Sequence, residues 1–234
     1  PLLLMAWARR DLRETARFEK VSSEPRRPLF AILTGPYRRR VLELAAIWFL
    51  TYVCTQNAVT FWKDYAVGEL HLPEKSAATV VTIAALVSMP LIFWVGKWFD
   101  LVGRRPGAVL VYLTVVLGVL GAYLFKGVPA LSVAMIVAMF GLAAVLTLLN
   151  TLTTELFPTE LRGDAFVWSN NLLGRIGYVL SPLALGELAR DRGWGPVLRG
   201  SVVFPAVALG LLLVWLPETR GRELEETAAA PREL

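Results

Sequence analysis

The chain has 234 residues, of which 56% are hydrophobic and eight are Trp, and a mean hydropathy of +0.55. A soluble domain of this length could not hide so much apolar surface, whereas a bilayer solvates it. The net charge of +5 comes from 24 Lys+Arg against 19 Asp+Glu, and because the cations sit between apolar runs, membrane topology explains them before nucleic acid does.

Residues 1–8 form an apolar stub without the basic leader and cleavage site of a signal peptide. They are expected to be the tail of a helix that begins upstream, which would make the chain a piece of a longer protein. Residues 9–40 are polar and basic and close on Arg38-Arg39-Arg40. The segment 1–40 therefore reads as the end of a preceding helix plus a cytoplasmic loop.

Apolar stretches then recur over 41–62, 77–98, 106–125, 129–151, 164–188 and 197–216. Each is close to the ~20 residues that cross ~30 Å of hydrocarbon. An all-α bundle of six transmembrane helices over 41–216 is predicted, with a cytoplasmic tail at 217–234. Spans of this length are twice those of barrel strands and do not alternate, which excludes a β-barrel.

Seventeen Lys and Arg fall on one side of the membrane: ten between Arg9 and Arg40, then Lys97, Arg104, Arg105, Arg162, Arg220, Arg222 and Arg232. Six fall on the other (Lys63, Lys75, Lys126, Arg190, Arg192 and Arg199), and Arg175 lies within a span. The positive-inside rule puts both ends in the cytoplasm. One cysteine (Cys54) and one histidine (His71, in a loop) leave neither a disulfide nor a zinc site to build. No cofactor or metal is expected, and no HExxH, Ser/His/Asp set or nucleotide loop suggests an enzyme.

Three loops at the cytoplasmic ends carry patterned charge. The first reads Gly96-Lys97-Trp98-Phe99-Asp100-Leu101-Val102-Gly103-Arg104-Arg105. It is either a tight basic loop obeying topology or a built charge cluster. The second is Glu155-Leu156-Phe157-Pro158-Thr159-Glu160-Leu161-Arg162-Gly163, and the third, after the last span, is Pro217-Glu218-Thr219-Arg220-Gly221-Arg222.

In this order the three resemble the G-x-x-x-D-x-x-G-R-R, E-[LI]-F-P-x-x-x-R-G and P-E-T-[KR]-G signatures of the major facilitator superfamily, in its sugar-porter and organic-ion (metabolite:proton symporter-like) branch. Leu101 departs from the family, which usually has a cation there. The resemblance implies that these spans are the seventh to twelfth helices, the C-terminal half of that fold, and that a second six-helix half is the partner. It also implies that Asp100, Arg104, Arg105, Glu155, Arg162, Glu218 and Arg220 form a gating network at the cytoplasmic face. An ion-pair network made in only one state biases a two-state equilibrium even when each pair is weak.

Within the fifth span lies Asn170-Asn171-Leu172-Leu173-Gly174-Arg175-Ile176-Gly177-Tyr178. Arg175 is too deep to snorkel easily, and an intramembrane cation is a functional-site hypothesis by default. It either pairs with an acid of the absent half or binds solute. The segment, with Ser181-Pro182 after it, resembles the eleventh span of organic-anion transporters, which implies a wall for anionic substrate.

Tyr52, Gln56, Asn57 and Asn150 are further candidates: they either line the cavity or bond between helices. The expected function is secondary active transport by alternating access of a small organic solute, favoured as an organic anion or carboxylate, with proton coupling. A sugar or organic-cation carrier, or a receptor on the same fold, is the alternative. A hexose is disfavoured because the Gln-Leu-Ser-Gly and Pro-Trp patterns of those carriers are absent. The lipid bilayer, the solute and protons are the expected partners, and nucleic acid is not. The expected location is a bacterial inner membrane.

Overall fold

The computed structural model describes residues 30–221. In hydrocarbon every backbone N–H and C=O must bond within its own segment, so long apolar runs fold as helices, and no strand occurs among the described residues. The first span is a bent pair, α1a (Arg38–Thr60) and α1b (Trp62–Gly68), meeting at 42°. The others are α2 (Glu74–Val102), α3 (Arg104–Leu124), α4 (Val128–Glu155), α5 (Arg162–Arg192) and α6 (Trp194–Trp215). By length and composition, five are single spans, and the bent pair makes a sixth. The expected fold class is met: this is an all-α, multi-pass membrane protein.

Most helices run further than hydropathy alone suggested. Arg38-Arg39-Arg40 form the first turn of α1a rather than closing a loop, and α2 and α5 outrun their apolar stretches at both ends. What was expected as the loop 99–105 shrinks to the single residue Gly103, at φ +105°. The turn before α6 likewise narrows to Gly193, at φ +81°. Both hold a backbone conformation that side chains with a Cβ rarely adopt, which explains why glycine ends one helix and starts the next. The expected leader before residue 30, and Arg222 and Arg232 of the tail, lie outside the described residues.

Packing interleaves two triplets of spans. α1 packs on α5 and α6, α4 packs on α2 and α3, and α3 meets α6 between them. Small residues permit the closest approaches. A Cβ on Gly118 would stand 2.4 Å from the backbone of Ala138, and one on Gly141 would stand 2.8 Å from that of Val115, so α3 and α4 touch backbone to backbone. Only 22% of the apolar stretch of α2 and 28% of that of α5 is buried, against 56% for α3 and α4. The outward faces of α2 and α5 are thus left to lipid or to another protein surface.

Candidate functional site

Two polar centres stand out, one at the end of the bundle where α2, α4 and α6 finish, the other midway along α5. At the first, Arg104 opens α3 and is only 12% exposed. Its guanidinium grips Glu155 at the end of α4 with two bonds, Nη2 to Oε1 at 2.6 Å and Nε to Oε2 at 3.3 Å. Its Nη1 donates to Asp100 of α2 at 2.8 Å. Bidentate pairing of this kind fixes orientation as well as charge.

Glu218, beyond α6, reaches the start of α3, where four backbone N–H groups lack partners within the helix. It accepts the N–H groups of Arg104 and Arg105 at 2.8 Å each, and those of Arg220 at 3.1 Å and Thr219 at 3.2 Å. Burial would raise its pKa, but the four donors outweigh burial and hold the carboxyl below the ordinary range. Thr219 closes the cluster by donating Oγ1 to Glu155 at 2.6 Å. Thr219 is 95% buried by its 5% exposure, and sequence reasoning passed over it.

The seven expected network residues therefore divide. Asp100, Arg104, Glu155 and Glu218 make one connected cluster. Arg105 adds its backbone N–H to Glu218, while its side chain turns to the carbonyl of Leu213. Arg220 donates to the carbonyl of Val102 at 3.4 Å, and Arg162 folds onto the carbonyl of Phe157 at 3.0 Å.

At the second centre, α5 departs from α-helical winding. Val167–Gly174 is a π-helix, with Arg175 the residue after it. A π segment inside an α-helix widens one turn and re-aims the side chains around it, and such segments recur at functional sites. Gly174 and Gly177 set the approach to α1: a Cβ on the first would stand 2.6 Å from Trp48 Cβ, and on the second 2.5 Å from the carbonyl oxygen of Phe49.

That proximity brings Tyr52 of α1 against α5. Its hydroxyl donates to Asn170 Oδ1 at 2.8 Å, and the Arg175 guanidinium lies beside it. Trp48 stacks on Tyr52 at 5.3 Å, and Tyr178 meets Tyr52 edge-on at 5.7 Å. Arg175 and Asn171 are exposed, and no described carboxylate forms an ion pair with Arg175. Glu43 bonds Arg39 and Glu187 bonds Arg190, so both acids near the ends of the spans are already engaged.

The expected solute-binding set does not hold together as a whole. Tyr52, Arg175 and the adjacent Asn171 share one place. Asn57 is fully buried and bonds Ser181 Oγ at 2.7 Å and the carbonyl of Val53 at 2.6 Å. It thus ties α1 to α5 instead of facing an opening. Gln56 bonds Thr60 on its own helix at 3.3 Å, and Asn150 is exposed on α4. Asn170 and Tyr178 were missed as contributors, although both belong to the segment the sequence singled out.

The family model described as Major Facilitator Superfamily matches residues 2–182 and, in a second overlapping stretch, 44–234. The chain belongs to the Major Facilitator Superfamily. Among curated proteins it is similar to "Inner membrane metabolite transport protein YhjE" of Escherichia coli, at 28% identity over 95% of this chain and 53% of that protein. "Putative metabolite transport protein YaaU" of the same organism is 29% identical over 80% of this chain and 43% of its own length. Human "Organic cation/carnitine transporter 2" is 26% identical over 80% of this chain and 34% of its own length. The chain spans about half the length, or less, of these curated relatives.

Proposed function

We propose that the chain is the C-terminal six-helix half of a secondary active transporter for a small organic anion, and that Arg175 binds the anionic group. Arg175 carries the reading: it is a cation at mid-span, exposed within this half, unpaired by any described carboxylate, and set directly after the π-helical segment, beside Tyr52 and Asn170. An ionised side chain costs several kcal/mol of free energy at membrane depth unless it faces a polar cavity or a counter-charge. A carboxylate solute supplies that counter-charge once per cycle, and Tyr52 and Asn171 supply neutral polar contacts around it.

In this reading the Arg104 cluster lies at the cytoplasmic face of a bacterial inner membrane, with both ends of the chain inside. The positive-inside count supports this orientation. The cluster ties α2, α3, α4 and the segment after α6 to one another. It holds this half together, and Asp100, paired with Arg104 but 69% exposed, is the member of the cluster that a second half would meet. Transport is coupled to protons, with the carrier group supplied by that other half.

A carrier for organic cations is the second reading, favoured by the likeness to a human organic cation/carnitine transporter. An uncompensated Arg in the binding wall opposes it, because like charge repels. Uptake by the full-length protein in proteoliposomes, with labelled mono- and dicarboxylates against quaternary amines, separates the two. Carboxylate uptake in wild type, abolished by Arg175→Ala and partly kept by Arg175→Lys, is the expected result. Amine uptake unaffected by Arg175→Ala would overturn the anion reading.

A further inference from the structure

The end of the bundle opposite the Arg104 cluster carries a second carboxylate clamp. Glu69 follows α1b, and its carboxylate accepts the backbone N–H groups of Trp194 and Gly195, the first two residues of α6. The arrangement repeats that of Glu218 on α3: a helix begins straight after a positive-φ glycine (Gly193 here, Gly103 there), and a carboxylate from another element takes its first two N–H groups. The fit is close, since a Cβ on Gly193 would stand 3.0 Å from Glu69 Oε1, and one on Gly195 would stand 2.9 Å from the Tyr65 ring.

Other contacts gather on the same joint. Phe61, at the break between α1a and α1b, stacks on Trp194 with ring centroids 4.2 Å apart and planes 16° from parallel. Trp62 donates its Nε1 to the carbonyl of Ala122, and Tyr65 its hydroxyl to that of Tyr123, both of α3. The hinge residue, the segment beyond it and the start of α6 are therefore locked in one place. About two turns of helix further in, Cys54 lies fully buried between α1a and α6, with its sulfur 3.5 Å from Ser201 Oγ.

We infer that Glu69 is a positioning residue: it latches α1b to α6, so that the outer part of the first span moves with α6 and not as a free lid. This rests on the transport reading only for its consequence in the cycle; the latch itself can be tested with no solute present. Cys54 is the reporter, because it lies buried where α1 meets α6 and a parting of the two helices exposes it.

In the full-length protein reconstituted in liposomes, N-ethylmaleimide labelling of Cys54 is followed by peptide mass spectrometry. Loss of a charge-assisted cap shifts the opening equilibrium by about tenfold. Glu69→Gln is therefore expected to speed labelling about tenfold, and Glu69→Asp to restore most of the protection. Glu187→Gln, at the same membrane face but paired only with Arg190, should leave the rate unchanged. A cysteine placed by Thr153→Cys, buried toward the Arg104 end, should stay protected in the Glu69→Gln background. Wild-type labelling in Glu69→Gln overturns the latch, as does equal acceleration by Glu187→Gln or at position 153. Should Glu69→Gln fail to fold, hydrogen exchange of the wild-type Trp194 and Gly195 amides decides, since free exchange there would be incompatible with the clamp. Uptake of neither carboxylates nor amines, together with Glu69-dependent labelling, would reject transport and leave the latch standing.

Discussion

Glu218 and Arg104 are 114 residues apart in sequence, yet Oε1 of the first accepts the backbone N–H of the second at 2.8 Å. The contact makes the segment after the last span part of the third helix's N-terminus. Capping carboxylates contribute about 1 kcal/mol each, and Glu218→Gln or Glu218→Ala should lower thermal stability by about that amount. The pH dependence carries a definite sign. The carboxyl is held below its ordinary value of 4.5, so its stabilisation is complete above that value and disappears as pH falls through the lower, folded-state value. Between about pH 6 and about pH 3, wild type should lose more stability than Glu218→Gln, and the gap between them should close. Melting curves in detergent at several pH values check this; parallel curves would refute it.

Asp100 and Glu155 both bind Arg104, but burial separates their roles. Asp100 is 69% exposed and Glu155 is 16% exposed. Exposed pairs contribute about 0–1 kcal/mol, whereas removing one partner of a shielded pair costs about 3 kcal/mol or more. On the proposed transport reading, Asp100→Asn should leave melting unchanged and impair uptake. Glu155→Gln should impair uptake and lower stability as well. Equal melting temperatures for the two variants, or wild-type uptake by Asp100→Asn, would sink this division.

Gly177 tests how α1 positions Arg175. A Cβ there would stand 2.5 Å from the Phe49 carbonyl oxygen, a backbone atom that cannot swing aside. Gly177→Val should force α5 off α1, at a cost of about 1–3 kcal/mol, and break the bond between Tyr52 and Asn170. Gly163→Val, where nothing lies within 4 Å of an added Cβ, is the matched control and should lose far less. Comparable loss in both would show that the contact is not what places Arg175.

Much of this was legible in the chain itself, because bilayer length and loop charge are one-dimensional signals. Arg104, Glu155 and Glu218 were identified by motif and do meet. The π-helical turn at Val167–Gly174 was not legible, since one widened turn leaves no mark in the residue types of Val167-Trp168-Ser169-Asn170. Nor was the cap of Glu69 on Trp194, a contact across 125 residues that depends on where α1b is directed by its bend. Helix lengths were underestimated at Arg38 and Val102 for a related reason. Hydropathy reports where lipid ends, whereas backbone bonds carry a helix on into water.

Asn57 is where residue type left two readings open, and the choice between them is testable. A polar residue in the first span either lines the solute cavity or bonds between helices, and Asn57 is fully buried and donates to Ser181 Oγ at 2.7 Å. A buried hydroxyl left without its partner costs about 1–3 kcal/mol. Asn57→Ala should therefore destabilise the bundle by that amount and leave the KM for the transported solute unchanged. Tyr52→Phe should do the reverse, since its ring contacts survive while the hydroxyl beside Arg175 and Asn170 is lost. Uptake kinetics alongside melting curves distinguish the two behaviours. A raised KM in Asn57→Ala with unchanged melting would return Asn57 to the cavity wall and remove it from the joint between α1 and α5.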